Sequence, residues 1–177
     1  IRKPQRFLEV RRFDREGPLG RRALFSIQAL DTEFAGTAGH WPQVARALAK
    51  EGVVEPQAVE QTEILWAFGT LIANGDMHGG NLSFMAEQGH PYQIAPAYDM
   101  TCMSFAPGAG GELAARALPL HLNNEVSASA WKRALPMATD FLDRLRANPC
   151  LSDGFTDCLA VLSDRINMAS ERIARLG

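Results

Sequence analysis

The sequence predicts an α+β fold, mostly α, with a few short β-strands and hairpins, and three observations carry that prediction. From Val59 to Ile72 the apolar residues Ile64, Phe68, Leu71 and Ile72 recur at steps of three and four, the rhythm of a helix with one buried face. Near the end, Phe155, Leu159, Leu162, Ile166, Ala169, Ile173 and Leu176 alternate the same steps and draw a narrow apolar seam. Between and before these, short runs rich in Phe, Leu, Val and Ile sit beside turn signals. A chain of 177 residues with 46% hydrophobic content has the size and core material of one domain, 1–177.

In chain order, residues 6–13 and 23–29 read as extended segments on either side of Gly17-Pro18-Leu19-Gly20, and a hairpin between them is expected. Asp31 to His40, with Gly36 and Gly39, reads as a plain surface loop. Pro42 suits a first helical position, with Val44, Ala45, Leu48 and Ala49 supplying a stripe that stops near Gly52. A second helix starts at Pro56, with Trp66 in its core face. It delivers the polar octet Asn74-Gly75-Asp76-Met77-His78-Gly79-Gly80-Asn81. Two short strands follow, around Leu82 and Phe84 and around Tyr92 and Ile94, with a Gly89-His90-Pro91 turn between them and Pro96-Ala97-Tyr98-Asp99 after them. Met100 to Gly111 is rich in Gly, Ala and Pro with Phe105 as its one bulky aromatic, and reads either as a functional loop or as an inert excursion. Pro119 to Asn124 is irregular. Ser127 or Ser129 caps a helix carrying Trp131 and Leu135, and Pro136 is expected to kink it or to start a new one. The helical remainder covers 127–177.

The octet concentrates the chemistry. An acid on a loop, a carboxamide five residues later and another acid one hairpin further suit metal-assisted phosphoryl transfer. Mg2+ takes hard oxygen ligands and keeps several waters, so one carboxylate and one carboxamide beside phosphate oxygens suffice as anchors. That assigns Asn81 and Asp99 to the metal. Asp76 then accepts or orients the proton of an attacking hydroxyl, since phosphoryl transfer asks a protein mainly for positioning and charge neutralisation. Gly79 and Gly80 allow a tight turn and a close approach to a ligand, and His78 is placed to donate to a phosphate. Taken singly, Asp, Asn and Gly are ordinary loop residues that satisfy local backbone groups. The joint spacing of Asp76, His78, Asn81 and Asp99 is what a simple connector does not need.

The run from Leu71 to Asn81 with Tyr98-Asp99, together with Arg6-Phe7-Leu8-Glu9-Val10-Arg11-Arg12-Phe13-Asp14-Arg15, resembles the HipA-like serine/threonine kinases, toxin components of bacterial toxin-antitoxin modules. The resemblance implies a protein-kinase-like C-terminal lobe that moves the γ-phosphoryl of ATP to a protein hydroxyl with Mg2+. In that family the Asp of the Asp-x-His-x-x-Asn loop is the base, the Asn is a metal ligand, and the Asp after Tyr binds metal. Those positions are Asp76, Asn81 and Asp99. It also implies a hinge at 6–15, where backbone groups near Arg11, Arg12 and Phe13 meet adenine and Asp14 meets the ribose, and a nucleotide site that includes His78, Gly79, Gly80 and Tyr98. A small DNA-binding antitoxin is the implied partner beside a protein substrate. A complete kinase also needs a glycine-rich phosphate loop and a strand lysine. Neither lies before Arg11, where Lys3 is the sole lysine, and the chain begins at Ile1. The expectation is therefore the C-terminal part of a larger protein, without its N-terminal lobe.

Three rivals stand beside this reading. Gly75-Asp76-Met77-His78-Gly79 also resembles the Gly-Asp-x-His-Gly loop of metallophosphoesterases, where a dinuclear centre activates water. Such loops follow a strand, and no later Gly-Asn-His block is present here. Small-molecule phosphotransferases carry His-Gly-Asp-x-His-x-x-Asn, in place of whose first His stands Asn74. A kinase-like remnant that docks without catalysing is the third.

Composition narrows the partners. A net charge of −2 and a pI near 6.1 give no basic field for direct nucleic-acid binding, and Arg11-Arg12 with Arg15 or Arg21-Arg22 read as solvated faces. Cys102, Cys150 and Cys158 are odd in number and lack metal-binding spacing, which suits a reducing cytoplasm. No run is apolar enough for a membrane span, and no leader pattern is visible.

Overall fold

The computed structural model describes residues 9–87, 89–111 and 119–176. Residues 6–8 of the expected hinge lie outside them. Strand β1 (Arg15–Glu16) pairs antiparallel with β2 (Gly20–Arg21) across the Gly17–Leu19 turn. Among the described residues strand β3 (Leu24–Ser26) pairs not with 9–13 but with β4 (Ser83–Met85), which pairs with β5 (Gln93–Ile94), in a three-stranded antiparallel sheet ordered β3-β4-β5. In place of the expected hairpin of 6–13 with 23–29, the described residues form the small β1-β2 turn, in which Arg22 N donates to Asp14 O at 3.0 Å. The turn was legible, but it closes on the residues immediately beside it.

The 23–29 run is also shorter as a strand than its apolar character suggested. Ser26 accepts the Ala29 amide with its hydroxyl and starts helix α1 (Ile27–Leu30), which continues into a π-helical turn over Asp31–Ala35 where a loop was expected. Gly36 ends the turn in the left-handed region at φ 62°. Helix α2 (Trp41–Lys50) opens with Pro42 in its first turn, and helix α3 (Pro56–Leu71) begins at Pro56, both as the sequence predicted. Helix α4 (Ala128–Ala147) is capped by the Ser127 hydroxyl on the Ala130 amide and runs unbroken through Pro136. Tertiary packing of Ala130, Trp131, Ala134, Ala138 and Leu142 on one face holds both halves in line, so the expected break does not occur. Helix α5 (Thr156–Ile173) buries Leu162, Ile166, Ala169 and Ile173, the predicted seam.

Two cores meet at α3. One joins Ile64, Leu71 and Ile72 to Trp131 and Leu142 of α4 and to Leu162 and Ile166 of α5; the other gathers Ile27, Trp41, Val44, Leu48 and Val54 around Phe84 of the sheet. Trp66 touches both, with its ring 5.6 Å from that of Trp41. A hydrogen-bonded joint locks the helices. The buried Glu63 carboxylate accepts Arg46 at 2.7 Å and the Ser127 amide at 3.1 Å, while the same guanidinium nitrogen donates to Glu125 O at 2.8 Å. Phe105, in a short 3-10 turn (Met103–Phe105), is buried in the first core, so at least this end of the Gly/Ala-rich excursion is anchored. Cys102 and Cys158 are free thiols, and burial pushes Cys102 up to about 11 and Cys158 upward, which keeps both protonated. Among the described residues no helix is long and apolar enough to cross a membrane.

Candidate active site

Helix α3 ends by a Schellman arrangement. Ala73 takes φ 60°, its amide donates to Thr70 O at 3.2 Å, and the Asn74 amide donates to Gly69 O at 2.8 Å. The chain leaves the helix at the junction of the two cores, which is why so polar a segment can start from a buried stem. Asn74 is itself buried, and its side-chain oxygen accepts the Asp76 amide at 3.0 Å while its Nδ2 reaches Met100 Sδ at 3.8 Å. It is a positioning residue that the sequence offered only as a replacement for a histidine.

The loop is then fixed almost entirely through its backbone. The Asp76 carbonyl accepts the Asn81 Nδ2 at 2.9 Å, and the His78 carbonyl accepts both the Asn81 amide at 3.0 Å and the Trp41 indole at 2.9 Å. The Gly79 carbonyl takes the Gln28 amide at 3.1 Å, and the Gly80 carbonyl takes the Tyr98 hydroxyl at 2.7 Å. Gly79 has a steric reason to lack a side chain, since a Cβ there would stand 2.8 Å from the Gln28 Cβ. The close approach is to α1, not to the open side of the loop. Gln28 and Trp41 were not foreseeable, because their contacts join segments remote in the chain.

These anchors leave the reactive atoms outward. Side chains of Asp76 and His78 are 49% and 58% exposed, with Nε2 of the imidazole 3.9 Å from the Asp76 Oδ1. Nδ1 of His78 accepts the Gly80 amide at 3.0 Å, so Nε2 is the atom available to donate. Because Nδ2 of Asn81 is committed to the Asp76 carbonyl, its oxygen Oδ1 is the atom left for a cation. Asp99 is exposed, adopts φ 54°, and among the described residues no hydrogen bond or ion pair engages its carboxylate. Tyr98, next to it, is gripped twice: its hydroxyl donates to Gly80 and, having one proton, accepts from Ser83 at 2.7 Å.

The predicted residues thus fall into two sets. Asp76 and Asn81 touch directly, and Tyr98 ties Asp99 to Gly80. Phe13 joins this set through its ring, 6.1 Å from that of Tyr98. Arg11 is exposed, and Arg12 and Asp14 face each other in a two-pronged pair at 2.7 and 2.6 Å, which holds the Asp14 carboxyl below its ordinary range through that hydrogen bond. Residues 9–13 form no strand. Hard oxygen donors from one carboxamide and one carboxylate fit a Mg2+ that completes its shell with waters and phosphates. Among the described residues no group of three or more His, Cys, Asp or Glu could hold a metal, and a dinuclear esterase centre needs such a group.

In sequence and in fold the chain is similar to known proteins. A family model described as the HipA-like C-terminal domain matches residues 1–153. The chain is 40% identical over 173 residues to Toxin YjjJ of Escherichia coli (strain K12), covering 98% of this chain and 39% of that protein. It therefore spans about two fifths of the curated relative's length. Among solved structures, the proinflammatory kinase CtkA of Helicobacter pylori superposes with a TM-score of 0.59 at 18% identity, over 88% of this chain and 70% of that one. HipA of Shewanella oneidensis MR-1, solved with HipB and operator DNA, gives a TM-score of 0.54 at 21% identity, over 91% and 47%. Likenesses at such identities speak for the fold, which is kinase-like; the family model and the relative at 40% identity go further, and by them the chain belongs to the HipA-like C-terminal domain family.

Proposed function

We propose that this chain is the catalytic lobe of a HipA-like serine/threonine protein kinase, transferring the γ-phosphoryl group of ATP to a protein hydroxyl. The observation that carries the proposal is the tie between the two loops. Tyr98 holds the Asp99 segment on the Gly80 carbonyl, while Asn81 is held on the Asp76 carbonyl, so two carboxylates and a carboxamide oxygen are presented from one braced unit. Preorganised acceptors of this kind cost no reorganisation when charge develops. Asp76 takes the role of base for the incoming hydroxyl, whose proton it accepts or orients. Asn81 Oδ1 and the Asp99 carboxylate would hold Mg2+, and His78 Nε2 would donate to a phosphate oxygen. Bound Mg-ATP supplies the transferable group and neutralises its charge. The ring of Phe13, 6.1 Å from that of Tyr98, supports a nucleotide base lying beside the 9–14 segment, where Asp14 would meet the ribose by exchanging its Arg12 partner.

The same reading takes a protein as substrate, the cytoplasm as location and a small DNA-binding antitoxin as partner, as HipB is with HipA in the Shewanella complex. Mg-ATP titrated calorimetrically into the chain, with radiolabel transfer measured in the natural protein, tests it. Asp76→Asn is expected to abolish transfer while leaving nucleotide binding largely intact, and Asp99→Ala to weaken the metal complex. Undiminished transfer by Asp76→Asn would refute the assignment. A chain and natural protein that take up no Mg-ATP would instead favour a docking remnant.

A further inference from the structure

Gly69 sits in the last turn of α3, buried, and the backbone there is ordinary helix, so nothing in its conformation calls for glycine. Glycine in a helix interior is less favourable than alanine. The reason for it is space. A Cβ at Gly69 would collide with Met77 Sδ, stand 3.5 Å from Met77 Cγ and press on Met100 Cε at 3.2 Å. Met77 follows Asp76 in the chain and Met100 follows Asp99. The two loops that carry the acids therefore come to rest on one point of one helix. The same residue also takes the Asn74 amide on its carbonyl, and Asn74 in turn reaches Met100 Sδ.

We propose that Gly69 is a positioning residue, setting the separation of the Asp76 loop from the Asp99 loop by giving Met77 and Met100 a shared seat. The proposal rests on the phosphotransfer reading above for its effect on catalysis, though not for the seat itself. Methionine is adaptable, so an added methyl displaces both side chains without unfolding the lobe. Sub-ångström to ångström displacements of a reacting group are enough to cost a reaction about ten- to hundredfold. Helix propensity and catalysis consequently pull in opposite directions at this position.

The test uses Gly69→Ala in the natural protein, with its methionine methyl groups labelled with carbon-13. Expected results are a thermal midpoint at or above that of the wild type, a kcat lower by about ten- to hundredfold with the KM for ATP nearly unchanged, and shifted methyl signals for both Met77 and Met100. In a Met77→Ala background Gly69→Ala is expected to lower kcat by a smaller factor than it does with Met77 present, because space is returned to the loop. A merely structural glycine would lower the thermal midpoint and show no such difference. Unmoved methyl signals in Gly69→Ala, or moved signals with wild-type kcat, would overturn the proposal. Should the wild-type protein transfer no phosphate at all, the function reading fails separately, and broadening of the two methyl signals by Mn2+ decides the seat: a Met77 to Met100 broadening ratio unchanged by Gly69→Ala would sink it, and a changed ratio would uphold it.

Discussion

The Asp31 carboxylate is 8% exposed and takes hydrogen bonds from the Thr37 amide at 2.9 Å, the Thr37 hydroxyl at 2.6 Å and the Ala38 amide at 2.8 Å. Burial alone would raise its pKa; the bonds from Thr37 and Ala38 together outweigh burial and leave it below the ordinary carboxylate value. A depressed folded value means the stabilisation is whole above the unfolded carboxylate range and fades as pH falls through the folded one. Asp31→Asn can accept with one oxygen and turns an amide donor toward donors. It is expected to cost about 1–3 kcal/mol at pH 7, with the gap to wild type narrowing in urea melts run at decreasing pH below that range. Equal gaps at neutral and acid pH would contradict this. At this scale the sequence singled out Asp76, His78, Asn81 and Asp99 as candidates, because polar atoms gathered between apolar runs are visible locally. It concealed Asn74, Gly69 and Gln28, whose roles exist only through partners brought near by folding. The pairing of Asp14 with Arg12 was not legible.

Elements announced themselves where periodicity was long. Helices α2, α3 and α5 were readable from their apolar spacing, and the Pro residues at the first two starts fixed where they begin. Short apolar runs are ambiguous, and Leu24 to Leu30 illustrates it, since three residues of strand pass straight into a helical turn at Ser26. The hydroxyl of Ser26 was the clue, outweighed by the β-rich company around it. Pro136 misled in the opposite sense. It is exposed in mid-α4, where a proline has no amide to donate one turn back. Pro136→Ala is expected to stabilise the fold by up to about 3 kcal/mol and to raise the thermal midpoint. A lower midpoint would show that Pro136 stabilises the fold as it stands.

At the scale of the molecule, one cation ties distant parts together. Arg165 of α5 is 7% exposed, donates to the Thr70 carbonyl from Nε and NH2 at 3.1 and 2.8 Å, and reaches Pro119 O from NH1 at 2.8 Å. Burial lowers its pKa, and the carbonyls offset the lost hydration. Arg165→Met keeps the bulk and removes the donors, with an expected loss of about 1.5–3 kcal/mol in urea unfolding. Arg165→Lys should restore only part, because a single ammonium cannot reproduce the fork. An unchanged unfolding midpoint in Arg165→Met would remove the clamp from the account.

The guanidinium grips the helix at Thr70, about one turn of backbone before the polar loop, yet it belongs to a stretch beyond residue 153, where the family model stops. The stretch that the family model matches and the stretch that packs as one unit have different borders here. Anyone trimming the protein to the shared portion would leave Leu71 and Ile72 without the cover of Leu162 and Ile166, expose a greasy flank to water, and set loose the stem from which the reacting carboxylate hangs.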